Sequence, residues 1–293
     1  MPTGQIRKAI SGFYYVHDGD TLQECRGRGV FRNRGITPLV GDFVEFEKDT
    51  DSHGTITHVL ERTNALVRPP VANIDQALLV FSLTEPDFHP LLLDRFLVAV
   101  ESFHVNPIIC LTKTDIASES ARENVQSYLE DYRRIGYQIV ETYKDDASLV
   151  ANLAPILKDK ISVLAGQSGV GKSTMLNTLL PSLELKTAEI SEALGRGKHT
   201  TRHVELLEIG GGLLADTPGF SSFDFDEMEK EELSSCFPEM RERAEHCKFR
   251  GCLHLKEPKC AIKAAVDSGE IPSYRYDHYL QFLEEIMDRK PRY

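Results

Sequence analysis

The hydrophobic positions of this chain follow a strand pattern up to about residue 66 and an alternation of strand and helix patterns after it. In the first part, short β-rich segments cover 11–16, 29–31, 42–46 and 54–59. Turn residues separate them at Asp18-Gly19-Asp20, Gly41-Asp42 and Ser52-His53-Gly54. Short strands at this spacing are typical of a small closed barrel such as the OB-fold. We therefore predict an N-terminal β-barrel of about five strands.

The second part begins after Arg68-Pro69-Pro70, which we interpret as a linker because two prolines stiffen the chain. Strand patterns cover 75–81, 107–111, 137–140 and 161–165, and helix patterns cover 91–103 and 119–135. A probable hairpin follows at 204–215. This alternation predicts a mostly parallel sheet covered by helices, as in α/β proteins.

A glycine-rich turn follows the strand at 161–165 and opens into a leucine-rich helical pattern. This is the context that a phosphate-binding loop requires. Glycines let backbone N–H groups turn inward, and the helix that follows adds positive potential. Lys172 would reach the β- and γ-phosphates of a nucleoside triphosphate, and Ser173 would hold Mg²⁺. We predict a nucleotide contact from each of Gly166, Gln167, Ser168, Gly169, Val170, Gly171, Lys172, Ser173 and Thr174.

The strand at 107–111 ends in a Lys-x-Asp sequence made of Thr112, Lys113, Thr114 and Asp115. In a P-loop GTPase, the carboxylate of such a sequence accepts two hydrogen bonds from guanine, and adenine lacks this pair of donors. Because an unpaired buried carboxylate is costly, one aspartate can select guanine. Lys-x-Asp is common by chance, but its place at the carboxyl end of a strand is where open α/β sheets bind ligands. The sequence therefore predicts a guanine site.

Two further segments have the pattern of nucleotide switches. Asp216-Thr217-Pro218-Gly219 ends the strand at 213–215. In such segments the carboxylate orients Mg²⁺ and the glycine N–H senses the γ-phosphate. The polar loop at 195–202 is long enough to close over the metal with a threonine hydroxyl. We assign this role to Thr201, with Thr200 as an alternative, and a flexible surface loop is the simpler interpretation of the segment.

The catalytic water needs another residue to orient it. Ras-like enzymes place a glutamine directly after Asp-x-x-Gly, but Phe220 occupies that position here and cannot polarise water. His199, in the loop at 195–202, is the candidate substitute, and an exposed or phosphate-contacting histidine is the alternative. Together with Lys172 it forms our predicted catalytic pair. We expect slow intrinsic turnover that a partner accelerates by ordering this loop.

Cys247, Cys252, His254 and Cys260 lie within fourteen residues of each other. Three thiolates and an imidazole at short spacing favour tetrahedral Zn²⁺, and a complete Cys₃His set is typical of a structural site. Cysteines of a hydrophobic core are the alternative. The remaining cysteines, at 25, 110 and 236, we interpret as packing residues.

The chain has 293 residues and a net charge of -11, with a sequence pI near 5.4. It shows no signal peptide and no membrane-spanning run, so we expect a soluble cytoplasmic protein with reduced thiols. RNA binding would need local basic patches. One candidate is Arg26, Arg28, Arg32 and Arg34 in the barrel, and another is Lys248, Arg250, Lys256, Lys259 and Lys263 around the metal ligands. Ordinary solvated surface is the alternative for both.

The order of the motifs is unusual, because Thr112 to Asp115 precedes Gly166 to Ser173 instead of following it. This order indicates a circular permutation. With a barrel in front and a Cys/His cluster behind, the chain resembles the RsgA family, also called YjeQ or YloQ. These are bacterial GTPases that act in assembly of the small ribosomal subunit. The usual Ser-Ala pattern is missing near Glu141-Thr142-Tyr143, so we assign no guanine contact there.

The resemblance implies three domains. Residues 1–66 would form an OB-fold RNA-binding domain, 67–223 a circularly permuted GTPase domain, and 224–293 a mostly helical zinc-binding domain. It also implies GTP/GDP, Mg²⁺ and one structural Zn²⁺ as cofactors. The implied partner is the small ribosomal subunit with its rRNA, which would stimulate GTP hydrolysis by a monomeric checkpoint factor in late assembly. The role of His199 is likewise proposed by family resemblance.

Two other functions fit parts of the sequence. A P-loop kinase for a small molecule would share the phosphate-binding loop, although Asp115 favours guanine and no substrate lid is evident. An RNA-binding scaffold with a vestigial nucleotide pocket would share the barrel and the Cys/His cluster. The presence of Lys172, Ser173 and Asp216 argues against that scaffold, and a hydrolysis assay separates it from a GTPase.

Overall fold

A computed structural model describes residues 1–29, 31, 35–49, 53–66, 69–144, 146–180, 204–220, 225 and 228–289, with the backbone alone at 216–220. Several predictions therefore lie outside the described residues. They concern Arg32 and Arg34 of the barrel patch, Arg68, the chain end from residue 290, and the loop at 195–202 with His199, Thr200 and Thr201. The side chain of Asp216 also lies outside.

The first part of the chain forms a five-stranded barrel with the order β1-β2-β3-β5-β4, closed by pairing of β4 with β1. Buried Ile6, Val16 and Phe46 fill its interior. The predicted OB-type barrel is thus confirmed. Its strands are β1 (Thr3–Ile10), β2 (Phe13–His17), β3 (Leu22–Gly27), β4 (Phe43–Lys48) and β5 (His53–Val59).

The strand positions within the barrel differ from the predicted ones in three places. Strands β1 and β3 were not among the predicted segments, because their polar residues hide the alternation. In the segment predicted at 29–31, Gly29 lies in a turn and Phe31 is helical, so neither of these two residues belongs to a strand. His53 and Gly54 were predicted as a turn but begin β5, where their backbone pairs with β3.

The predicted linker at Pro69-Pro70 is the turn of a small hairpin. Strand β6 (Ala65–Leu66) pairs with β7 (Val71–Ala72) across it. Val71 also bridges to Val40, which holds the hairpin against the barrel. Backbone pairing on both sides brings the two prolines into a tight connection, and the interpretation of this segment as a linker between domains remains a prediction.

The second part forms a parallel sheet in the order β10-β9-β8-β11-β13, with β12 antiparallel at its end. All seven residues of β8 are buried, as expected for a central strand covered on both faces. The predicted parallel sheet is confirmed. These strands are β8 (Gln76–Ser82), β9 (Asn106–Thr112), β10 (Gln138–Glu141), β11 (Ile161–Ala165), β12 (Val204–Ile209) and β13 (Gly212–Phe220).

Within the described residues, the helices between these strands are α1 (Pro90–Ser102), α2 (Glu119–Ile135), α3 (Leu149–Leu157) and α4 (Lys172–Leu179). Helix α2 has clear local signals, since the Ser118 hydroxyl accepts a hydrogen bond from the Ala121 N–H at 3.2 Å and Gly136 ends it with a left-handed φ of 112°. Helix α3 was not predicted, and it is short and contains Pro155.

The barrel and the parallel sheet are continuous. Strand β1 pairs with β12 through Lys8 opposite Glu205 and Ala9 opposite Val204. The described strands, apart from β6 and β7, therefore form one eleven-stranded sheet. Within this sheet, the strands of the parallel part lie on one side of β12 and the barrel strands lie on the other.

The last part of the described chain is helical. It contains a 3₁₀ helix (Leu233–Cys236), α5 (Pro238–Ala244), α6 (Ala261–Asp267) and α7 (Ser273–Met287), packed around Phe237, Tyr279 and Phe282. Cys25, Cys110 and Cys236 are buried. No helix in the described ranges is long and apolar enough to cross a membrane. The division at residues 66 and 223 remains a prediction.

Candidate nucleotide site and metal site

The phosphate-binding sequence forms a tight loop between β11 and α4. Gly166 has a φ of 146°, and a Cβ at this position would lie 2.2 Å from the Val80 carbonyl oxygen of β8. A side chain there would therefore displace the loop from the sheet. Gly171 precedes α4 with a left-handed φ of 97°. Both glycines are needed to bring the N-terminus of α4 to the carboxyl end of β11.

Lys172 is the first residue of α4, and its side chain folds back over the loop. Its Nζ donates a hydrogen bond to the Gly166 carbonyl at 2.7 Å and another to the Gln167 carbonyl. Burial lowers the pKa of Lys172. A partly buried ammonium favours the arrival of an anion. Exposed Ser168, Ser173 and Thr174 surround the same end of the helix.

The Lys-x-Asp segment is attached directly to the phosphate loop. The Thr112 hydroxyl donates a hydrogen bond to the Val170 carbonyl at 2.5 Å. Lys113 adopts a left-handed φ of 56°, and its Nζ donates to the Glu85 carbonyl. The Thr114 hydroxyl donates to the Thr142 carbonyl at 3.1 Å. The segment after β9 is thus connected both to the loop after β11 and to the one after β10.

A cavity of about 220 Å³ opens between these loops. Asp115 lines one wall, and Gly171 and Thr174 line another. The two predicted motifs, separated by some fifty residues in the chain, therefore face one space. The cavity is lined by Thr112, Lys113, Asp115, Ile116, Thr142, Tyr143, Lys144, Leu149, Gly171, Thr174 and Met175.

Sequence reasoning did not assign Thr142, Tyr143 and Lys144, which form a third wall of the cavity. They follow β10, and only the place of β10 beside β9 brings them there. The Asp146 carboxylate accepts hydrogen bonds from the Thr142 hydroxyl at 3.1 Å and the Ser148 hydroxyl at 2.6 Å. These hydrogen bonds hold Thr142 and the residues after it in place beside the cavity.

The Asp-x-x-Gly segment runs beside the phosphate loop. Ala215 of β13 pairs with Val163 of β11, and Phe220 of β13 pairs with Ala165 of β11, with an irregularity between the two pairs. The backbone of Asp216 and Gly219 therefore lies next to the end of β11. The roles predicted for Asp216, Gly219, Thr201 and His199 remain predictions.

The four predicted zinc ligands come together. The Sγ atoms of Cys247, Cys252 and Cys260 and a ring nitrogen of His254 lie within 4.8 Å of one another. Cys247 Sγ is 3.9 Å from Cys260 Sγ, and His254 Nδ1 is 3.3 Å from Cys260 Sγ. Tetrahedral Zn²⁺ with bonds of about 2.3 Å to sulfur separates two thiolates by about 3.8 Å. The group fits such an ion.

The chemistry of the cluster also fits a cation. Burial and the neighbouring Cys260 raise the pKa of the Cys252 thiol to about 12. Thiolates this close repel each other unless a metal ion compensates their charge. Burial lowers the pKa of His254, so the ring is neutral and can act as a ligand. The Tyr276 hydroxyl holds the loop by donating to the His254 carbonyl at 2.6 Å.

Comparison with known families agrees with this geometry. Residues 59–226 match the model of the RsgA GTPase, and residues 3–56 match that of the RsgA N-terminal domain. The chain belongs to the RsgA GTPase family. Family membership makes it a GTPase and implies a guanine nucleotide and Mg²⁺ as its cofactors. The predicted resemblance is confirmed.

Relatives in the RsgA family match over their whole length. The small ribosomal subunit biogenesis GTPase RsgA of Bacillus cytotoxicus is 59% identical over 293 residues, 100% of both chains. The protein of the same name from Bacillus subtilis is 57% identical over 298 aligned residues, again 100% of both.

Solved structures of the RsgA family have the same architecture. The crystal structure of YloQ, a circularly permuted GTPase, matches with a TM-score of 0.86 and 51% identity, covering 100% of this chain and 97% of that one. YjeQ from Thermotoga maritima also matches with a TM-score of 0.86, at 34% identity and 99% coverage of both chains. The predicted circular permutation is confirmed.

Proposed function

We propose that this chain is a GTPase that binds the small ribosomal subunit and acts in its late maturation as a nucleotide-controlled checkpoint. The names of its full-length relatives support this role. The partner surface would include rRNA, contacted by the barrel and the zinc-binding domain. The protein would act as a cytoplasmic monomer, with domains at 1–66, 67–223 and 224–293.

The observation that carries the enzymatic part of the proposal is the cavity shared by Asp115 and Gly171. A carboxylate on one wall and a phosphate loop on another are the two elements that a guanine nucleotide needs. We propose that Asp115 reads the guanine, that Thr112 and Thr114 hold its segment in place, and that the backbone from Gly166 to Ser173 surrounds the phosphates.

Charge compensation would come from residues around the same loop. Lys172 would leave the Gly166 carbonyl and pair with the β- and γ-phosphates. Ser173, Thr201 and Asp216 would hold Mg²⁺, which would stabilise charge on the phosphates when bound. The Gly219 N–H would contact the γ-phosphate and relay its presence to the chain that follows.

The Cys₃His cluster would hold a structural Zn²⁺. All four ligand positions would be filled by the protein, so no site remains for substrate. The ion would fix the loop at 247–260 on α7, where the Tyr276 and Tyr279 hydroxyls already hold two of its carbonyls at 2.6 and 2.8 Å.

Hydrolysis would be slow until the partner binds. Phe220 stands where Ras-like enzymes have a glutamine, so the chain lacks a water-orienting residue directly after Gly219. We propose that His199 takes this role when the subunit orders the loop at 195–202. The intrinsic rate of GTP hydrolysis without the subunit would stay well below about 1 s⁻¹, as in other GTPases that depend on a partner.

The test is phosphate release from GTP and from ATP, with and without purified small subunits. We expect strong stimulation by the subunit with GTP alone. In His199→Ala the stimulation should be lost while GTP affinity is unchanged. His58→Ala, which removes an exposed imidazole of the barrel, serves as the matched control and should keep the stimulated rate.

Two results would contradict the proposal. Equal rates with and without the subunit would exclude it as the activating partner. Turnover that prefers ATP would favour a P-loop kinase or ATPase over the guanine-specific switch. If the subunit stimulates the unmodified protein and His199→Ala equally, the proposed checkpoint function is retained but the catalytic role of His199 is excluded.

A further inference from the structure

The turn between two of the metal ligands exposes an aromatic ring. Residues 248–251 connect Cys247 to Cys252, and we call this segment the knuckle turn. Phe249 at its centre is 44% exposed. Lys248 and Arg250 on either side are exposed as well, and Lys248 Nζ lies 5.3 Å from the Phe249 ring centroid. An exposed aromatic ring with cations on both sides combines the two kinds of side chain that single-stranded nucleic-acid sites use.

The knuckle turn is held at both ends. Cys247 and Cys252 belong to the Cys₃His group, and Gly251 closes the turn with a left-handed φ of 73°. With both ends of the turn fixed by a metal ion, the backbone that carries Phe249 has few conformations open to it. The ring is therefore presented in a defined place, with little entropy left to lose on binding.

The chain segment that contains the turn is rich in basic residues although the whole chain is acidic. Between residues 246 and 263 there are five lysines and arginines and a single acidic residue, Glu257. The Glu257 carboxylate accepts hydrogen bonds from the N–H groups of Leu253 and Leu255, both at 2.8 Å. This charge is thus occupied within the loop and does not pair with the cations of the knuckle turn.

We propose that the knuckle turn binds a single-stranded segment of RNA, with Phe249 stacked on an unpaired base and Lys248 and Arg250 on the flanking phosphates. This inference rests on the proposed function, because it names the kind of rRNA element that the zinc-binding domain contacts. Aromatic rings interleaved with cations suit unpaired strands, whose bases are free to stack. A base-paired helix has no free base face for this ring.

The first test measures binding of the full-length, zinc-loaded protein to fluorescent RNA. The probes are a short oligoadenylate and an RNA duplex of equal length. Phe249→Ala should weaken oligoadenylate binding roughly 5- to 150-fold, the effect expected for one base stack, and leave duplex binding unchanged. Phe249→Tyr keeps the ring and should bind normally. Lys248→Ala should weaken both complexes and reduce their salt dependence.

Phe43 of β4 offers a matched control. It is 47% exposed, close to the value for Phe249, but its neighbours in sequence are Asp42 and Val44 instead of two cations. Because the barrel is itself a proposed rRNA contact, Phe43→Ala should weaken oligoadenylate binding less than Phe249→Ala does, since no cations flank its ring. Zinc content and circular dichroism of Phe249→Ala establish that the metal loop is intact.

The inference would be overturned if the unmodified protein bound neither RNA, if Phe249→Ala bound oligoadenylate normally, or if Phe249→Ala lost the same affinity for both probes. An equal loss in Phe43→Ala would also overturn it, because exposed aromatics in general would then suffice. Subunit-stimulated GTP hydrolysis is measured in parallel. If the subunit did not stimulate hydrolysis by the unmodified protein, the proposed function would be excluded. Oligoadenylate binding that depends on the Phe249 ring would still support the inference in that case.

Discussion

The GTPase sheet is connected to its two neighbours by contacts of opposite character. Towards the barrel, two residue pairs join β1 to β12, and the Lys8–Glu205 ion pair, at 2.7 Å, is partly exposed. Towards the C-terminal helices, fully buried Arg275 of α7 lies 2.5 Å from fully buried Asp94 of α1. One connection is a backbone pairing near solvent, and the other is a buried charge pair.

In the buried connection, both charged side chains also have further partners. Arg275 pairs with Glu239 of α5 at 2.7 Å, and its guanidinium lies 4.5 Å from the Phe237 ring centroid. Burial alone would lower the pKa of Arg275, but the carboxylates of Asp94 and Glu239 raise it well above its usual value. Asp94 further accepts a hydrogen bond from the Tyr132 hydroxyl at 2.6 Å.

The contrast between the exposed Lys8–Glu205 pair and the buried Arg275–Asp94 pair indicates which neighbour is attached more rigidly to the GTPase sheet. An exposed ion pair contributes little, whereas removing one partner of a buried pair leaves an unpaired charge that is costly. We therefore expect the C-terminal helices to be attached to α1 and α2 more rigidly than the barrel is attached to β12. The metal loop takes part in this unit, because Tyr276, which holds it, is the residue after Arg275 in α7.

The largest expected effect comes from the metal. Chelation of zinc, or Cys252→Ser, should unfold the C-terminal helices, since a structural zinc site contributes roughly 10 to 16 kcal/mol of apparent binding free energy. Scanning calorimetry should show loss of one transition with the barrel retained. Cys25→Ser, which alters a buried cysteine outside the cluster, is the control for zinc content. An unchanged thermal profile after zinc removal would rule out this structural role.

The next effect comes from the buried charge. Arg275→Ala should lower the free energy of unfolding by about 3 to 5 kcal/mol, because Asp94 and Glu239 would stay buried without their cation. Urea unfolding measures the loss, and Arg275→Lys should lose less. Arg243→Ala removes an ion pair to the exposed carboxylate of Glu270 and should lower the free energy of unfolding far less than Arg275→Ala does. Similar losses in Arg275→Ala and Arg243→Ala would contradict the contrast.

The smallest effect is expected at the barrel connection. Lys8→Ala removes the exposed ion pair to Glu205 and should change the free energy of unfolding by less than about 1 kcal/mol. The backbone pairing of Lys8 and Ala9 remains in this variant, so the barrel should stay attached. A loss as large as that of Arg275→Ala would mean that the two connections are equally dependent on charge.

Much of the site could be predicted because its signals are local. The phosphate loop lies between a strand and a helix that its own residues specify, and four metal ligands fall within one short segment. By contrast, Thr142 to Lys144 carry no motif, and only the pairing of β10 with β9 brings them to the cavity. The barrel strands β1 and β3 were missed because their polar residues mask the alternation.

The strand and helix patterns, the glycine-rich turn, the Lys-x-Asp segment and the Cys₃His group can be recognised in the sequence, because each depends on residues close together in the chain. The continuation of the sheet from β12 into β1 and the contact of Arg275 with Asp94 across 181 positions become visible only in the folded structure. Such contacts have no local period or spacing. They arise when distant segments fold together and each buried polar group must find a partner.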